Sequence, residues 1–145
     1  MATFEELESL VTQHLRDVAQ NLKVEFPGVR FMVSSCDFPG MGTLAHGIFL
    51  EGYILNVRSD YAEDLCLGVD FADRDGAQRI NADVAWGEPI YENLLTVYEE
   101  DRPVSDVNTG DFIARLEPLT ELFREEIRAN PHGKRAEPGT KSSEG

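Results

Sequence analysis

From Phe4 onward apolar residues return every three or four positions, at Leu7, Val11, Leu15, Val18 and Leu22. That interval is the repeat of a helix with one buried stripe. Thr3 followed by Glu6 has the spacing of a capping box, and Pro27-Gly28 turns the chain away. A helix from about Thr3 to Val24 is predicted, with Glu5, Glu8, Arg16, Asp17 and Gln20 on its wet face.

The period then changes to two. Val29, Phe31 and Val33 lead a short strand into Ser34, Ser35 and Cys36, and Asp37 to Thr43, with Pro39, Gly40 and Gly42, reads as a loop. The segment from Gly47 to Val57 is apolar on both faces, the pattern of a central strand or one lying under a helix. Gly52 is a candidate bulge within it. Asp75-Gly76 is the clearest turn signal in the chain. Leu65, Leu67, Val69 and Phe71 precede it, and Ile80, Ala82, Val84 and Trp86 follow. In a hairpin these two sets face each other, leaving Asp64, Asp70, Arg79, Asn81 and Asp83 on the opposite, polar side.

Gly87-Glu88-Pro89 breaks that strand, and Tyr91 to Tyr98 is the candidate fifth, ahead of an acidic loop at Glu99, Glu100 and Asp101. Asn108 and Asp111 form a second capping pair before Phe112, Leu116, Leu119, Phe123 and Ile127, so an amphipathic C-terminal helix is expected. Pro118 removes a backbone donor inside this run, and it either kinks the helix or begins its main segment. Residues 131 to 145, without a large apolar side chain, are expected to be a disordered tail. Burying every stripe calls for an α+β domain over residues 1 to 130. Its expected form is a two-layer sandwich, an antiparallel sheet of four or five strands with the N- and C-terminal helices on one face.

Composition narrows the partners. The net charge is −14; the tail carries +1, so residues 1 to 130 carry −15 with Lys23 as their single lysine. Nucleic acid and anionic membranes need clustered Lys and Arg, so neither is expected as a partner. A field of this sign speeds encounter with a basic protein instead. The apolar stretches are too short for a membrane span. MATFEELESL lacks the charged and apolar regions of a secretory signal, so a cytoplasmic location is expected. Cys36 and Cys66 stand thirty positions apart with no ligand-spaced neighbour, and read as two buried free thiols.

Candidate chemistry is sparse. Cys36 and His46 are a nucleophile and a base near each other in the chain, but nothing recognisable orients the histidine or supplies an oxyanion hole. Asp70, Asp73, Asp75 and Gly76 have only part of a calcium-loop pattern and read as hairpin chemistry. Glu88 and Glu92 lack any accompanying sugar or metal motif. Gly40 and Gly42 lack the lysine and helix start of a phosphate loop. No catalytic residue, metal or cofactor is therefore expected.

The expected function is binding. The leading expectation is an immunity or neutraliser-type protein that covers a basic toxin or enzyme surface. Its partner-binding residues would be Asp70, Asp73, Asp75, Asp83 and Glu88, with Trp86 either a core residue or an aromatic anchor among them. The alternatives are a dimeric acidic secretion or assembly chaperone, and a small-ligand binder or enzyme. Monomer and homodimer both remain open at this point.

Overall fold

A computed structural model of the chain describes residues 3–40, 43–56, 61–74, 77–86, 95–100 and 108–133. Helix α1 runs Phe4–Glu25. Its start is the capping box: the Glu6 N–H donates to Thr3 Oγ1 at 3.1 Å and the Thr3 N–H donates to Glu6 Oε1 at 3.0 Å. Two otherwise orphaned donors are satisfied in this way. The stripe of Leu7, Val11, Leu15, Val18 and Leu22 is buried, as its spacing requires.

Five strands follow: β1 Arg30–Gly40, β2 Thr43–Asn56, β3 Tyr61–Arg74, β4 Ala77–Trp86 and β5 Leu95–Glu100. They form one sheet in chain order, every neighbouring pair antiparallel. The β3–β4 hairpin has the anticipated register. Arg74 lies opposite Ala77 across Asp75-Gly76, and Phe71, Val69, Leu67 and Leu65 face Ile80, Ala82, Val84 and Trp86.

Three segments differ from the expectation. Asp37 to Gly40 is strand rather than loop, pairing in sequence with His46, Ala45, Leu44 and Thr43. β1 is an edge strand, where only one side of the backbone is paired and proline is tolerated. Gly52 is not a bulge: the ladders on both sides of β2 pass through it in register, and the shift falls between Ile80 and Asn81 in the β4–β5 ladder. A Cβ at Gly52 would stand 3.2 Å from Phe31 and 3.5 Å from Phe123, so the glycine makes room for that ring pair, whose centroids are 6.4 Å apart. Glu99 and Glu100 belong to β5, opposite Arg79 and Gln78, rather than to a loop.

The C-terminal helix is divided. Asn108 caps α2, Thr109–Ala114, by accepting from the Asp111 N–H at 3.0 Å. Pro118 sits in the first turn of α3, Glu117–Ala129, where its missing donor would be unpaired anyway. It marks a start, not a kink. The Gly133 N–H closes a turn onto the Asn130 carbonyl at 3.0 Å with φ at 92°. The remainder of the expected tail, 134–145, lies outside the described residues.

Helix α1 rests on β1 and β2, and α3 on β3 and β4. Ring contacts of Phe4 with Phe71 at 5.7 Å and Phe71 with Phe112 at 6.4 Å, like the Phe31–Phe123 pair, come from the alternation that carries Leu65, Leu67 and Val69. One apolar cluster joins these helices to the sheet. Glu25 at the end of α1 also pairs with Arg124, at 3.1 Å, and with Arg128 on α3. The fold is α+β, an antiparallel sheet with N- and C-terminal helices.

Candidate functional site

Side chains alternate along a strand, so the residues between the core positions form a second surface. On β2 these are Gly47, Phe49, Glu51 and Tyr53; on β3, Asp64, Cys66, Gly68 and Asp70; on β4, Asn81, Asp83 and Ala85. The register sets Asp64 opposite Tyr53, Cys66 opposite Glu51, Gly68 between Phe49 and Asp83, and Asp70 opposite Asn81. Two diagonal acidic pairs result, Glu51 with Asp64 and Asp70 with Asp83, one on each side of Phe49 and Gly68.

These carboxyls are neither dry nor fully wet. Burial holds Asp70 above its ordinary value, and repulsion from Asp83 adds to it. Burial alone raises Asp83. Asp64 is pushed up to about 7, first by burial, then by its hydrogen bond with Glu51 and the charge on that residue. Asp64 Oδ1, Asp70 Oδ1 and Asn81 Oδ1 are shielded from solvent yet have no hydrogen-bond partner among the described residues. Among the side chains that the structure describes, which do not include that of Arg79, no basic group forms an ion pair with Asp64, Asp70 or Asp83.

Of the residues expected to bind a partner, Asp70 and Asp83 stand together on this surface. Asp73 is on β3, its backbone opposite Gln78 and Leu44; Asp75 and Glu88 lie outside the described residues. Trp86 is 7% exposed and its indole N–H donates to Glu126 Oε1 on α3 at 2.9 Å. Its polar edge is already used, which is the usual condition of a buried tryptophan.

Sequence reasoning missed Glu51, whose place beside Asp64 depends on the β2–β3 register. It also missed a second grouping. His46 Nδ1 is hydrogen-bonded to Asp37 Oδ1 at 2.6 Å, and its Nε2 lies 3.9 Å from Glu8 Oε2 on α1. The signal was the Asp37–His46 spacing across a tight hairpin, obscured while Asp37 to Thr43 read as a loop. Cys36 does not join it. It pairs with Gly47 on the opposite alternation and is exposed, so histidine and thiol point to different faces. Cys66 is half-buried, and β2 separates its strand from that of Cys36.

Among the described residues no group of three or more His, Cys, Asp or Glu side chains is arranged to hold a metal ion. Among them, too, no helix is long and apolar enough to cross a membrane, a statement that does not extend to β-barrels. Comparison of the chain with protein-family models, curated proteins and solved structures gives no match.

Proposed function

We propose that this chain is an acidic protein-binding domain of the immunity or neutraliser type, which lays the outer face of β2 to β4 over a basic surface of a toxin or enzyme. One observation supports it most: Asp64, Asp70 and Asp83 are partly desolvated, Asp64 and Asp70 each have an oxygen without a hydrogen-bond partner among the described residues, and none of the three forms an ion pair with a described side chain. Removing a carboxylate from water without a partner is unfavourable. A lysine or arginine from another protein supplies the missing charge and the missing donors together. The chain-wide charge of −14 accelerates the approach of such a partner. A cytoplasmic setting goes with this reading, because free Cys36 and Cys66 persist in a reducing compartment.

The test is capture of the partner from the native host by the wild-type chain and by an Asp70→Lys/Asp83→Lys variant, followed by association kinetics against the captured protein. The reading requires a basic partner, at least about tenfold weaker binding by the variant, and an on-rate that falls steeply with salt. Equal binding by the two chains, with the variant folded, removes this face from the interface. An on-rate indifferent to salt removes charge as the cause.

A further inference from the structure

A strand at the edge of a sheet leaves one row of backbone donors and acceptors unpaired, and proteins usually blunt such edges with charges, prolines, bulges or a covering segment. Among the described residues strand β1 pairs with β2 alone. Between Arg30 and Asp37 it has no charge, Phe31 to Cys36 being entirely neutral. Ser34, Ser35 and Cys36 are exposed, and Met32 is 40% exposed. Pro39 comes only at its far end.

A polar groove of about 570 Å³ runs beside this edge, with Glu5, Glu8, Thr12 and Arg16 of α1 on one wall and Ser35 and His46 of the sheet on the other. The helix shows which way the groove opens. His14 stands 3.9 Å from Glu117 of α3. At about 100° per residue, Glu5, Thr12 and Arg16 lie on the flank opposite His14. The groove therefore opens away from α3, toward the unpaired side of β1. Its charge is unbalanced: Glu5, Glu8 and the nearby Asp37 face Arg16 and a histidine that Asp37 already engages. Burial holds the Glu8 carboxyl above its ordinary value; His46 opposes this, while Asp37 and Glu5 add to it.

We propose that the free edge of β1 receives an extended segment of a protein partner as a further strand, with a lysine or arginine of that segment entering the groove against Glu5 and Glu8. Strand addition draws its affinity from main-chain hydrogen bonds and its selectivity from pockets that accept alternate side chains. Edge and groove provide one of each. A second copy of this chain is the less suitable occupant, because it would bring a charge of −14 against an acidic groove. This surface is distinct from the outer face, and the inference does not depend on that face binding anything.

The probe is a short peptide of alternating lysine and valine, added to the full chain at physiological salt, with a glutamate-valine peptide as control. Amide hydrogen exchange should show new protection within Arg30–Gly40 on binding the lysine peptide and none with the control. Ser35→Lys, which fills the groove with the chain's own ammonium group, should weaken binding about tenfold, whereas Ser35→Thr should not. Glu5→Gln/Glu8→Gln tests the same charge without altering the strand and should also weaken binding. Protection located elsewhere, equal binding of the two peptides, absence of saturable binding, or unaltered affinity in both charge variants overturns the proposal. So does concentration-dependent dimerisation that protects β1 without any peptide, which would give the edge to a second copy.

Discussion

The ring of Phe49 on β2 lies over Gly68 on β3, so closely that a Cβ placed on the glycine would be 3.0 Å from Phe49 Cδ1. The two residues are directly opposite in the ladder, and the aromatic ring covers a backbone that glycine leaves bare. Gly68→Ala should therefore destabilise the chain by about 1 kcal/mol while Phe49 is present, because the ring must be displaced. In a Phe49→Ala background the same substitution should be neutral or stabilising, since alanine loses less conformational freedom in a strand than glycine. A double-mutant cycle from urea unfolding measures the coupling, and purely additive effects would contradict the contact.

Asp64 makes stability depend on pH in the direction opposite to that of a salt-bridged carboxylate. Its ordinary value of 3.8 rises to about 7 in the fold, so between those limits the folded chain binds more protons than the unfolded one. Its contribution to stability therefore declines as pH rises from about 4 to about 7 and stays low above that. Asp64→Asn should match the wild type near pH 4 and exceed it near pH 8 by about 1 kcal/mol, a modest figure because the group is partly solvated and screened. Urea midpoints across that range check it; a wild-type advantage at high pH would show that the group is ionised and paired instead.

Trp86 and Glu126 connect the end of β4 to α3 through the indole N–H. Glu126→Ala leaves that donor unpartnered in a buried setting and should destabilise the chain by about 1 to 2 kcal/mol. Glu126→Gln keeps an acceptor oxygen and should recover most of the loss. Trp86 is the chain's sole tryptophan, so its fluorescence follows the local change directly. Unaltered emission and stability in Glu126→Ala would remove this contact from the fold's support.

The thiols should differ sharply in reactivity. Cys36 is exposed, whereas burial, followed by the charges of Asp64, Glu51, Asp83 and Asp70, raises the Cys66 thiol far above its ordinary value. The thiolate is the reactive form. In the native chain at neutral pH a maleimide reagent should label Cys36 readily, and Cys66 only at the rate of unfolding. Mass spectrometry of the labelled peptides distinguishes the two, and comparable labelling would mean that the outer face is open at Cys66.

Periodicity and turn chemistry were enough to place α1, the β3–β4 hairpin and the capped start of the C-terminal helical region, because each depends on residues a few positions apart. The pairing of Leu67 with Val84, for example, follows from alternation on either side of Asp75-Gly76. The acidic character of Asp70 and Asp83 was legible for the same reason. Relations across the fold were not. Pro39 signalled a break, and only the position of β1 at the sheet edge turned Asp37 to Gly40 into strand. Gly52 carried no local mark of the Phe31 and Phe123 rings packed against it. Glu51 reaches Asp64, and His46 reaches Asp37 and Glu8, through strand register and the placement of α1. Local sequence specifies where a side chain points along its own element. Which partner it meets, and therefore how a carboxyl titrates and which edge is left open, is settled by packing between elements that are distant in the chain.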